Sequence, residues 1–454
     1  MTRSRIRDVG AARRPQREAA HEASRREPWS VARPAAVLAS LAACLCLAGC
    51  DKVPTFDELV HGKKKEAPAT SSPQPAARTD TPALPPKAAE PPKKTPQEII
   101  ADFNSTPSQK RTDQQVVDLA SIPEGRDQFT DMNLAYSGVT DRGLAELPKF
   151  ERIEKLNIDG CQYKSDAMAN VAKLKGLNTL SMYGGAAKDS NGSDKALGHI
   201  KDMHQLTSLS VQKANFSAEG LNQLAEMSWL ESLNVAQTKF SDDNLRACSG
   251  LVNLRELNIS RTPLTDPGFL GLLPFTRLEV LRMSGLCDQY GIFQGPGLKE
   301  LTKKHGLSSL RMLYLDNNPR LLDAGWEGVY NLRRTLEYLD AGDAGVTDSR
   351  FSKAIAQCTK LETLLLHKNG DLTDFGMAGA GSASGVTKLR SLKRVFFHDN
   401  PGITDRSLKL FARLRSLEGL TLEATHCTLP GVTTLKKQLK DCEITFNSKK
   451  IEAD

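Results

Sequence analysis

After residue 128, apolar residues recur in a fixed frame, L-x-x-L-x-L, with polar residues between them. The first apolar position of successive copies falls at Phe129, Ile153, Leu177, Leu206, Leu230, Leu254, Leu278, Leu310, Leu336, Leu361, Leu392 and Leu417, and most of the spacings are 24 to 26 residues. The alternation in L-x-L predicts a short strand with one side inward and one outward. Thr-Asp or Ser-Asp then precedes a second apolar stretch, as at Thr140-Asp141, Ser241-Asp242, Thr265-Asp266, Thr347-Asp348, Thr373-Asp374 and Thr404-Asp405. Short oxygen-bearing side chains there predict helix N-caps. Leu144, Leu147 and Phe150 in the first copy, and Leu408, Phe411 and Leu414 in the eleventh, share one helix face.

Each unit is therefore one strand plus one helix, too small to bury its own apolar face. Stacking neighbours supplies the missing contact. The predicted architecture is an α/β solenoid of about 12 repeats, a horseshoe with a parallel sheet on the concave side and helices on the convex side.

The fullest copy reads Leu254, Leu257, Ile259, Thr262, Leu264, Thr265, Asp266. This pattern resembles the leucine-rich repeat family. The T-D-x-G-L ending is similar to the subclass found in F-box receptors and in bacterial repeat proteins. The resemblance covers about residues 129–446, and the repeat domain is expected over residues 129–447. It implies a binding surface rather than a particular partner. It also implies that Asn318, Asn369 and Asn400, like Thr238, Thr262, Thr425 and Cys161, turn inward and bond the backbone of neighbouring turns. Three copies carry inserts rich in Gly, Ser or Ala, around Gly184–Ser193, Cys287–Gly297 and Ala378–Lys388.

The front of the chain has a different grammar. Residues 35–48 are uncharged and rich in Ala and Leu, and Leu47-Ala48-Gly49-Cys50 follows. Such a run is too short to span a bilayer and suits a signal peptide over residues 1–49. The LAGC ending resembles the lipobox of bacterial lipoproteins, which implies lipid on Cys50 and a membrane-anchored protein of the cell envelope, on its periplasmic or surface face. Val31 is an alternative start, which would make residues 1–30 a start-site artefact. Residues 50–96 form a tether: ten of the 23 prolines fall there, and the segment has too few apolar residues for a core. Residues 97–128 predict a helical cap sealing the first repeat, and residues 448–454 a tail.

Charge narrows the partners. The formal charge is +7, but residues 1–50 hold nine Arg against four acids. From Asp51 onward the balance is 52 basic to 50 acidic residues. That near-neutral remainder argues against nucleic acid. None of the nine cysteines forms C-x-x-C, so no zinc ribbon is expected, and Cys427 with Cys442 is the one pair placed for a capping disulfide.

Catalytic signatures are missing. Gly381-Ser382-Ala383-Ser384-Gly385 has Ala where a nucleophile elbow needs Ser, and His199 and His204 miss the zinc-protease spacing. No cofactor, metal or enzyme activity is expected. His367 and His398 occupy equivalent positions, but a fixed third ligand is not evident.

The register instead points to the concave face. Its fifth-position row starts with small polar residues, Asn133 to Asn258, and continues as Arg282, Tyr314, Asp340, Leu365 and Phe396. Met312, Tyr338 and Arg394 flank it on one side, and Asp316, His367, His398 and Glu423 on the other. Large aromatic and Arg side chains on a sheet are what binding hot spots favour. The expected function is a non-catalytic scaffold that holds a protein, or a glycan, as a monomer. The alternatives are an envelope spacer and an intracellular adaptor resembling F-box receptors.

Overall fold

The computed structural model describes residues 94–184, 192–286, 293–379 and 385–452. The signal segment, Cys50, most of the tether, Cys287 and the middle of each insert lie outside these residues.

Every L-x-L segment is a strand. In chain order they are β1 Asp131–Asn133, β2 Lys155–Asn157, β3 Thr179–Ser181, β4 Ser208–Ser210, β5 Ser232–Asn234, β6 Glu256–Asn258 and β7 Val280–Arg282. Then come β8 Met312–Tyr314, β9 Tyr338–Asp340, β10 Thr363–Leu365, β11 Arg394–His398 and β12 Gly419–Glu423. Two further strands, β13 Glu443–Phe446 and β14 Lys449–Ile451, close the series. The spatial order is the chain order. Each strand pairs parallel with the next up to β13, and β14 turns back antiparallel on β13. The sheet lies on one side of an α/β solenoid and the helical segments on the other. Among the described residues, no helix is long and apolar enough to cross a membrane.

The three apolar positions of each copy stack into three continuous rows. Leu254, Leu257 and Ile259 in the sixth repeat, for example, are buried beside their counterparts Leu230, Leu233 and Val235 in the fifth. The chain then leaves each strand through one residue in the left-handed region. That residue is always the eighth of the frame, from Tyr136 (φ 56°) through Arg261 (φ 53°) to Ala424 (φ 48°), and is Gly in only three of twelve repeats. Non-Gly residues there carry a modest strain, which the neighbouring turns hold in place.

The Asp of the Thr-Asp pair has a different role from the expected N-cap. It reaches forward into the next repeat. Asp348 accepts from the Thr373 amide (2.7 Å) and hydroxyl (2.7 Å). Asp405 does the same with Thr428 at 2.8 and 2.7 Å, and Asp374 with Thr404 at 3.0 and 2.6 Å. Thr supplies the cap itself: the Thr373 hydroxyl accepts from the Phe375 amide of its own helix. The Gly of T-D-x-G follows from the same contact. A Cβ on Gly268 would stand 1.9 Å from the Asp242 carboxylate, and one on Gly220 the same distance from Asp194. The motif is thus an inter-repeat staple. Where the fourth repeat has Ala218 in place of Asp, Asn244 donates to the Ala218 carbonyl instead (2.7 Å).

The helical side is more broken than one helix per repeat. The first repeat has an α-turn at Asp141–Leu144 followed by a 3-10 turn at Leu147–Lys149, and the sixth has only the 3-10 segment Pro267–Leu272. Apolar residues three apart suit a helix of three residues per turn.

The inward Asn and Cys residues reach neighbouring turns as the resemblance implies, whereas Thr238 and Thr262 bond the Val235 and Ile259 carbonyls of their own turns and Thr425 accepts from the Cys427 amide. Asn318 donates to the carbonyls of Met283 (2.9 Å) and Leu315 (2.8 Å), and Asn369 to that of Ala341 (2.9 Å). Cys161 points at the Leu134 carbonyl (3.0 Å).

Both ends are sealed. The N-terminal segment folds as helices Pro96–Ser105, Asp113–Ser121 and Pro123–Asp127. Thr112-Asp113 repeats the staple: Asp113 accepts from the Thr140 and Gly143 amides, each at 2.8 Å. Arg111 stacks on Phe103 (4.0 Å) and closes the edge beside β1. At the other end, the Lys436 ammonium is buried and donates to the carbonyls of Lys440 and Cys442. Cys427 and Cys442 are both buried free thiols.

Candidate functional site

The outward side chains of the strands line up in register, and the two halves of that face differ in chemistry. In the first half, the fifth-position asparagines bend back onto their own backbone. Asn133, Asn157, Asn234 and Asn258 each accept from the amide two residues on, at 3.0, 2.9, 3.1 and 3.1 Å. Ser181 and Ser210 are buried between them. These groups are occupied with the fold.

From β7 onward the row changes. Arg282, Tyr314 and Asp340 are register partners on β7, β8 and β9. The Arg282 guanidinium lies 3.9 Å over the Tyr314 ring. Tyr314 in turn packs against Tyr338 on β9, with ring centroids 4.7 Å apart. Both rings and the guanidinium are half-exposed. The result is a continuous cation–aromatic stack across three repeats, an arrangement that adds attraction beyond simple area burial.

Beside the stack sit two carboxyl groups. Asp316 accepts from the Ser284 hydroxyl and from the Asn317 side-chain amide (2.6 Å). Asp340 is buried and accepts from the Gly342 amide (3.1 Å), the same backward bond that Asn makes in the first half. Burial, and next the charge of Asp316, push the Asp340 carboxyl up to about 7, while the Gly342 amide and Arg282 work the other way. Burial likewise raises Tyr338, with Tyr314 and Asp340 adding to it.

His367 completes the group. Its ring occupies the space that a side chain at position 342 would fill, since a Cβ on Gly342 would meet it at 1.7 Å. Burial lowers the His367 imidazole, against the pull of Asp316. His398 is lowered for the same reason, and its Nε2 is buried without a hydrogen-bond partner among the described residues. The two rings belong to adjacent repeats. Among the described residues no group of three or more His, Cys, Asp or Glu side chains converges as a metal would require.

Arg282, Tyr314, Asp316, Tyr338, Asp340 and His367 are thus brought together. Met312 borders them as the register partner of Tyr338. The remaining candidates are placed otherwise. Leu365 is buried and contributes little exposed surface. Phe396 is half-exposed one strand further on. Arg394 pairs with Glu418 (3.5 Å). Glu423 accepts from the Ser448 amide at 2.9 and 2.8 Å, and so holds the β13–β14 turn. Two residues escaped the sequence reading: Ser284, which orients Asp316, and Gly342, whose missing side chain admits His367. A lone Gly on the seventh-position row was the available signal.

No family model matches the sequence, and no curated protein matches it. Solved structures do. The chain is similar to the yeast Rad7 and Elc1 complex, with a TM-score of 0.50 at 17% identity over 65% of this chain and 75% of that one. It is also similar to an internalin from Listeria monocytogenes (TM-score 0.42, 18% identity, 77% of this chain and 93% of that one). A third similarity is to TLR13 in complex with ssRNA13 (TM-score 0.48, 17% identity, 73% of this chain and 46% of that one). The fold is that of a leucine-rich repeat solenoid.

Proposed function

We propose that this chain is a non-catalytic scaffold that binds a protein through the sheet face of repeats seven to eleven. The observation that carries it is the half-exposed Arg282–Tyr314–Tyr338 stack, which stands on a face whose other half is tied up in its own backbone. Stacked side chains of these types lose little conformational freedom when a partner covers them. The stapled repeats beneath supply a stiff platform, so little order has to be imposed on binding. A glycan is the second ligand class that aromatic faces suit.

In this reading the T-D-x-G-L repeats follow a signal peptide, and Cys50 carries lipid at the start of a Pro-rich tether. The tether spaces the solenoid from a membrane of the cell envelope. Palmitate-analogue labelling of wild type against Cys50→Ser tests the anchor, and absent labelling of the wild type favours the intracellular adaptor. Affinity capture from envelope extract tests the scaffold. A defined partner retained by wild type and lost on Tyr314→Ala/Tyr338→Ala/Phe396→Ala supports it. Equal capture by both proteins rules out this face as the contact surface, and no specific capture favours the spacer.

A further inference from the structure

We propose that partner binding on this face, which rests on the scaffold reading above, is coupled to a proton on Asp340, so that the neutral carboxyl is the binding-competent form.

The argument starts from what the fold asks of this position. Four other repeats place Asn here, and each makes the same backward bond to the amide two residues on. Asp340 makes that bond too. A neutral amide therefore meets the structural requirement in full. The carboxyl adds only the capacity to ionise, and it does so at a site that is 9% exposed. Burying an ionised carboxylate is costly unless it is well paired.

The pairing is poor. Among the described residues Arg282 on β7 is the one cation acting on Asp340, and it is already stacked on Tyr314. β8 and its turn present Tyr314 and, more importantly, the carboxylate of Asp316. On the same strand Tyr338 feels the Asp340 charge. β10 presents Thr363 and Leu365, which do not titrate, and the turn after it carries His367 over Gly342. Ser284 and Asn317 donate to Asp316, whereas Asp340 receives one backbone amide. Burial and the Asp316 charge together place the proton on Asp340 up to a pH of about 7. A partner that covers the face removes the remaining water and strengthens the same preference. Binding then takes up a proton and weakens as the pH rises through neutrality.

The test uses the full chain as wild type, Asp340→Asn and Asp316→Asn. Asn stands at this position elsewhere in the protein, so Asp340→Asn should fold. If only the neutral form binds, wild-type capture from envelope extract drops about tenfold from about pH 6 to about pH 8. The Asp340→Asn protein has no such pH dependence. In thermal melting without partner, the gain of Asp340→Asn over wild type grows as pH rises to about 7 and levels off above it, and Asp316→Asn shifts the wild-type transition to lower pH. A melting difference that stays constant with pH overturns the proposal. So does a wild-type capture that is equal at both pH values, or an Asp340→Asn capture that keeps the wild-type dependence. Capture that fails at both pH values overturns the scaffold reading and the proposal with it, while capture that succeeds without pH dependence overturns the proposal alone.

Discussion

The two halves of the sheet face share one backbone and differ in what their side chains are free to do. Asn258 on β6 and Asp340 on β9 stand in the same row and make the same bond, at 3.1 Å each. One is a neutral amide between Asn234 and Arg282, with no acid as a register partner. The other is a buried acid beside a second acid, two tyrosines, an arginine and a histidine. The repeat dictates the bond in both cases, so the extra chemistry around Asp340 is not needed to build a repeat. A uniform scaffold makes such departures readable: whatever the frame does not require is a candidate for function.

The largest effect should come from the part the halves share. Asp242→Ala removes the acceptor of the Thr265 amide and hydroxyl, and Asp374→Ala that of Thr404. Charge-assisted bonds of this kind predict a loss of about 3–5 kcal/mol at either site. Urea denaturation checks this, and unequal costs in the two halves would mean that the staple is not uniform. Gly268→Ala should be comparably damaging, because its Cβ would stand 1.9 Å from the Asp242 carboxylate.

Asp340→Asn sharpens the contrast at intermediate size. The folded carboxyl lies above its ordinary value. The wild-type contribution is therefore fully present below the unfolded value and is lost as pH rises through about 7. The variant should gain on wild type as pH rises from the unfolded value to about 7, at about 1.4 kcal/mol per pH unit, and keep that gain above it. Asn258→Asp is the converse experiment: that position is only partly buried and has Arg282 as its register partner, so melting of this variant should show little pH dependence around neutrality.

Smaller again are the single bonds and stacks. Asn258→Ala should cost about 1 kcal/mol, by loss of one backbone bond. Arg282→Ala should cost about 0.5–1 kcal/mol of stability through the Tyr314 stack. Chemical denaturation resolves both, and a larger cost for Arg282 would show that the stack is holding the sheet together.

Much of the fold was legible because it is set by short-range alternation. The three apolar rows and the register of the outward rows follow from counting along L-x-x-L-x-L. Asn318 and its equivalents were legible through the resemblance. The staple was not, because Asp242 and Thr265 meet only after the chain has gone round a full repeat. Local reading made both residues caps. The left-handed turn residue was hidden by its identity, since Tyr136, Lys213 and Arg261 carry none of the marks of such a position. Strand β13 was missed because Asp441 stands where the frame has Leu, although Ile444 and Phe446 keep the inward alternation. In the site, spacing placed Tyr314, Tyr338 and Asp316 correctly on one face. It could not tell that Leu365 is covered, or that Glu423 is held by Ser448.

The contrast between the halves is tested most directly by matched capture with two triple variants of the full chain. One is Tyr314→Ala/Tyr338→Ala/Phe396→Ala, and the other is Asn133→Ala/Asn157→Ala/Asn258→Ala, each checked for unchanged circular dichroism. Loss of the partner by the first, with retention by the second, is the expected result. Retention by the first, or equal loss by both, would contradict the account.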